Sequence, residues 1–152
     1  MNKALLGLWL LTAMTGSAAG QNNCLNLSGV YRIDDQSGLV QLTITQTGCT
    51  QNKIERRATS RGRTTTEQHT LKIDGQFQPD TPWMGTADKL ETSAKFTSGA
   101  LEVTARPATP KSAADFAWKR LFVVRSNGDL DIRDFSKLDD AYIPSATAIR
   151  QQ

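Results

Sequence analysis

Residues 41–50 read QLTITQTGCT. Val40, Leu42 and Ile44 alternate with Gln41, Thr43 and Thr45, the period-two pattern of a strand with one face buried. The β-branched Thr and Ile side chains suit that pleated, half-buried surface. In the segment that follows, Ile54 is the only large apolar residue of the next predicted strand. Opposed residues of an antiparallel hairpin share a face. Ile54 therefore joins Val40, Leu42 and Ile44 only if the connecting loop holds an odd number of residues. That loop contains Gly48, free to take positive φ, and leaves Cys49 at the end of a hairpin.

The same reading extends along the chain. Strand-like segments are predicted near Val30–Ile33, Leu39–Thr47, Asn52–Ala58, Thr64–Ile73, Gly85–Ser93, Ala100–Arg106, Lys119–Arg125 and Leu130–Phe135. Turn residues separate them: Asp34 to Gly38, Arg61-Gly62, the Pro-containing stretch Gly75–Pro82, Ser98-Gly99, Pro107–Pro110 and Asn127-Gly128. Short strands at regular spacing imply an all-β barrel or sandwich, and hairpin-length connections favour an up-and-down, eight-stranded antiparallel barrel. Asn127-Gly128 signals a two-residue type I′ turn. That turn would oppose Val123 to Ile132 and Leu121 to Asp134, so that Leu121, Val123, Leu130 and Ile132 face the core. Trp118, Phe122 and Val124 would then share the other face. Ser112 to Asp115 and Ser136 to Asp139 both have capping-box spacing, and the second predicts a short C-terminal helix over that apolar face.

The first twenty residues have the layout of a secretory signal peptide: Lys3, an apolar run from Ala4 to about Ala13, and small residues at Gly16–Gly20. A bilayer span needs about 20 apolar residues, more than this run supplies, and no second apolar run follows. The expected organisation is thus a signal peptide over 1–20 and a single domain over 21–152, secreted or periplasmic, without a transmembrane segment. Cys24 and Cys49 are the only cysteines, so an exported chain allows one disulfide pairing. With His69 the sole histidine, the chain is poorly equipped for a zinc site.

The formal charge is +3, of which Lys3 supplies one. The distinctive charged feature is local: Lys53, Arg56, Arg57, Arg61 and Arg63, relieved only by Glu55. Such a cluster fits an anionic partner, for example a lipid headgroup or an envelope polyanion; it equally fits a solvated hairpin tip that keeps strand edges unpaired. No aromatic residues interleave with the arginines, which argues against nucleic acid. His69 would be the sole base for a Ser-His-Asp arrangement, yet no Ser lies in a Gly-x-Ser-x-Gly turn. The acidic groups Asp34-Asp35, Asp129, Asp131, Asp134 and Asp139-Asp140 lack calcium-loop spacing. Neither a cofactor nor a catalytic constellation is expected. Trp83, Phe116, Trp118 and Phe122 are the apolar candidates for contact with a ligand or an interface, against the alternative of plain core packing.

Leu27-Ser28-Gly29-Val30-Tyr31, at the start of the first strand, resembles the Gly-x-Trp opening of lipocalins and related calycin barrels, with Tyr31 in place of Trp. The resemblance implies an eight-stranded barrel that binds a small hydrophobic molecule. Small periplasmic inhibitors of proteases or lysozyme are similar in length, export and disulfide content. Two expectations result: a non-catalytic binding protein for a small lipophilic or anionic ligand, or an inhibitor or envelope interaction protein that meets a protein partner through loops and an exposed face.

Overall fold

A computed structural model of the chain describes residues 24–35, 38–79, 89–112 and 115–152. These residues form strands β1 (Gly29–Asp35), β2 (Gly38–Thr47), β3 (Gln51–Ser60), β4 (Arg63–Lys72), β5 (Gln78–Pro79), β6 (Leu90–Thr97), β7 (Ala100–Pro107), β8 (Trp118–Val124), β9 (Leu130–Ser136) and β10 (Ala141–Arg150). The sheet order is β4-β3-β2-β1-β10-β9-β8-β7-β6-β5, antiparallel throughout, so the chain meanders and its last strand returns beside its first. The sheet curls until β4 approaches β6. The ladder is not continuous across that seam, and the barrel is therefore open rather than closed.

The expected β2–β3 register is present. Ile44 lies opposite Ile54 and Thr47 opposite Gln51, which leaves a three-residue loop with Gly48 at φ 55°. Leu42, Ile44 and Ile54 are all buried. Three other expectations are corrected. Among the described residues the strands number ten rather than eight, the additions being the two-residue β5 and the long β10. No C-terminal helix forms. The Ser136–Asp139 cue instead closes the β9–β10 turn, where the Ser136 hydroxyl bonds an Asp139 carboxylate oxygen at 2.6 Å.

The third correction concerns register. Phe122 opposes Ile132, Val124 opposes Leu130 and Arg120 opposes Asp134. The loop is three residues long: Gly128 N–H donates to the Arg125 carbonyl at 2.9 Å and Gly128 adopts φ 89°. This is the type I turn with a left-handed glycine at its close, and not the two-residue turn expected. A one-residue change of loop length moves every side chain to the opposite face. Phe122 is accordingly buried with Leu130 and Ile132, while Leu121 and Val123 face outward. Of the predicted strand Gly85–Ser93, Leu90–Ser93 is strand and Lys89 is not, while residues 85–88 and Trp83 lie outside the described residues.

The two ends of the barrel differ. At the end carrying the β2–β3 loop, Leu27 and Tyr31 are fully buried and the Tyr31 hydroxyl donates to the Leu27 carbonyl at 2.9 Å. Leu27 N–H donates to Gln46 Oε1 at 2.9 Å. Cys24 and Cys49 form a disulfide with their Cα atoms 5.4 Å apart, which pins this plug segment to the hairpin. At the other end lie the β3–β4 and β9–β10 turns and the Asp35–Gly38 end of the β1–β2 pair. β1 and β10 pair there no further than Arg32 with Ile149, so the two strands part. Pro144 sits in this stretch of β10, beside a bulge at Ser145, where the missing N–H is tolerated.

Candidate functional site

Where β1 and β10 part, the barrel interior holds a cavity of about 200 Å³. Its walls come from alternate residues of several strands, as the two-residue period dictates. Ile33, Val40, Leu42, Ile54, Phe122, Ile132 and Ala146 supply the apolar surface, and Arg56, Arg120 and Ser145 the polar one. Ser145 reaches the wall because it is the extra residue of the β10 bulge.

The two arginines are held differently. Arg120 opposes Asp134 across the β8–β9 ladder. Its Nε donates to Asp134 Oδ1 at 2.6 Å and its Nη2 to Oδ2 at 3.0 Å, a two-point, charge-assisted pairing. Burial pushes the Asp134 carboxyl up, but hydrogen bonds from Arg120 and Ser145 and the Arg120 charge outweigh it, so the group titrates below its ordinary value. The Arg120 guanidinium also lies 5.7 Å from the Trp118 ring centroid. Arg56 opposes Glu67 across the β3–β4 ladder. Its Nη1 is 3.6 Å from Glu67 Oε2, and both side chains are about three-quarters buried. That separation is an ion pair but too long for a hydrogen bond. Glu67 Oε2 is buried and accepts no hydrogen bond among the described residues.

The basic cluster of the sequence is thus divided. Arg56 points into the barrel, because it follows Ile54 by two residues on the same strand face. Lys53, Arg57, Arg61 and Arg63 are exposed, on the outer face or at the β3–β4 turn. Arg57 makes a loose ion pair with Glu55 at 3.8 Å. The aromatic candidates divide in the same way. Phe122 lines the cavity and Trp118 packs against the core, whereas Phe116 stacks edge-on with Phe135 at 5.6 Å, and Phe135 with Tyr142 at 5.3 Å. Lysines cover this second group: Lys137 Nζ is 4.2 Å and Lys119 Nζ 4.6 Å from the Phe116 centroid. The Tyr142 hydroxyl is 2.9 Å from Glu102, and burial together with that carboxylate raises its pKa.

The sequence reading placed Arg56 in a basic cluster for an anionic partner or a solvated hairpin tip and Asp134 among acids without calcium-loop spacing, and gave Glu67, Arg120 and Ser145 no role. Parity from Ile54 would have placed Arg56 inside. His69 is buried on the β4 interior face but does not line the cavity. Among the described residues, no group of His, Cys, Asp and Glu is arranged to hold a metal ion. No helix among them is long and apolar enough to cross a membrane.

No protein-family model and no curated protein matches the sequence. Among solved structures, the chain is similar to a crystal structure of a mutant of the fluorescent protein UnaG, with a TM-score of 0.58. Sequence identity is 11%, and the match covers 82% of this chain and 96% of that one. At such low identity the likeness concerns the fold alone.

Proposed function

We propose that this chain is an exported, non-catalytic binding protein that holds one small lipophilic ligand inside its barrel. The observation that carries this reading is the cavity, with Ile33, Val40, Leu42, Ile54, Phe122 and Ile132 on its wall, at the place where β1 and β10 separate. An apolar cavity of about 150 Å³ accommodates benzene, and pockets for drug-sized molecules start near 300 Å³. The 200 Å³ here suits a molecule between those sizes. The inward placement of Phe122 also supports ligand carriage over contact through an exposed aromatic face. Export to a secreted or periplasmic location is supported by the leader-like residues 1–20 and by the Cys24–Cys49 disulfide.

Native mass spectrometry of the protein purified from its exported compartment tests the proposal. The expected spectrum shows a stoichiometric small-molecule adduct that leaves on mild activation. A bare chain that instead retains a protein partner would replace this reading with that of an inhibitor or envelope interaction protein.

A further inference from the structure

We infer that the ligand enters and leaves the cavity sideways, through a notch in the wall between β1 and β10, and that Ile33 and Ala146 form the apolar rims of that notch. This rests on the ligand-carrying reading above and adds the route by which the site is filled.

The backbone makes the notch. Every residue of β1 pairs with β2, but its pairing with β10 stops at Arg32 and Ile149. Residues 33–35 therefore turn toward β10 an edge without a ladder. Opposite them, β10 is interrupted between Pro144 and Ala146 by the bulge at Ser145, and a bulge bends its strand and disrupts pairing locally. Ala148 is fully buried and closes the notch from below.

The side chains connect the notch to the cavity. Ile33 on one side, and Ser145 and Ala146 on the other, all line it. Among the described residues of that wall, Ser145 alone is exposed; Ile33, Val40 and Ala146 are half-buried, and Leu42, Ile54, Phe122 and Ile132 are buried. Accessibility thus rises from the floor toward the β1–β10 side. The other two wall residues, Arg56 on β3 and Arg120 on β8, are paired with Glu67 and Asp134. A hydrocarbon passing over those pairs would strip water from charged groups, which is costly. Between Ile33 and Ala146 it passes apolar side chains.

The test is kinetic and uses the mature protein with hexan-1-ol as the probe. Extending the Arg32–Ile149 register by two residues sets Asp34 opposite Thr147, and neither lines the cavity. Asp34→Cys with Thr147→Cys, once oxidised, holds the notch shut; the same variant alkylated leaves it open. Exchange of the alcohol is followed by NMR relaxation dispersion, which reads the μs–ms range. The cross-linked chain is expected to take up and release hexan-1-ol about tenfold or more slowly than the alkylated one, with Kd within about twofold. Ile33→Ala, which widens the notch, should raise the association rate. Ile54→Val, on the wall away from it, should alter release and leave association as it is. Equal rates in the cross-linked and alkylated chains would overturn the inference and leave the cavity reading standing, with entry over the turns at the barrel end. Failure of the wild type to bind hexan-1-ol would remove both. If the cross-link does not form, Ile33→Ala decides: faster association supports the notch, and association no faster than wild type overturns it.

Discussion

Gly29 illustrates how a motif resembling a family signature has a local steric cause. A methyl group at this position would lie 3.1 Å from Tyr31 Cε2 and 3.2 Å from its Cζ and hydroxyl. The Tyr31 ring folds back over the glycine, is fully buried, and reaches the Leu27 carbonyl with its hydroxyl. Arg150 approaches the same ring, its guanidinium 6.0 Å from the centroid. The Gly-x-aromatic spacing therefore serves to seat a ring against the plug segment. Gly29→Ala is expected to lower stability by about 1–3 kcal/mol, the usual range for overpacking a filled site. Urea denaturation would measure it. In the double variant Gly29→Ala with Tyr31→Leu, the penalty for the added methyl should shrink, because the ring that clashes is gone. A full, additive loss would show that the ring contact is not the cause.

At the scale of elements, loop length and strand register are one variable. Gly128 has φ 89°, which an L side chain adopts at a cost of about 1–2 kcal/mol. Gly128→Ala should thus reduce stability by about that amount with the register kept, seen as a shifted denaturation midpoint and an unchanged Phe122–Ile132 cross-strand NOE. Loss of that NOE would mean that the turn, and not the packing of Phe122, holds the register. Asn127-Gly128 marks a turn, but a left-handed glycine closes a two-residue and a three-residue loop equally well, and the two put opposite faces inward. The β2–β3 hairpin was legible because Ile54 is alone on its strand and only one parity buries it. β10 was missed since Pro144 and its alanines argue against a strand; the proline is admitted only because β1 has already parted from β10 there. The candidate site was illegible for a related reason. Arg56 sits beside exposed arginines in sequence, and its partner Glu67 becomes visible only when the β3–β4 register is fixed.

The whole molecule divides into a stapled end, plugged by Leu27 and Tyr31, and a parted end that holds the cavity between β1 and β10, and the disulfide belongs entirely to the first. Cys24–Cys49 closes a sequence separation of 25 residues, for which chain entropy gives a stabilisation of about 3.5 kcal/mol before any native strain is subtracted. The bonds around it are local: Gln46 Nε2 donates to Cys24 Sγ at 3.1 Å, Gln46 Oε1 accepts from Leu27 N–H at 2.9 Å, and Gln46 N–H donates to the Ser28 hydroxyl at 3.1 Å. Replacing both cysteines by serine should therefore act unevenly. Global stability falls by up to about 3.5 kcal/mol, and amide exchange accelerates first in residues 24–28 and in the β2–β3 hairpin. Exchange at the Arg120–Asp134 ladder should rise no more than the global loss requires, because that end is held by its own two-point ion pair. Binding of hexan-1-ol to the folded double variant should be unchanged, since neither cysteine lines the cavity. Hydrogen exchange followed by mass spectrometry separates these outcomes. A uniform acceleration over all strands, with probe binding lost in a chain that is still folded, would show that the staple shapes the cavity and is not confined to the plugged end.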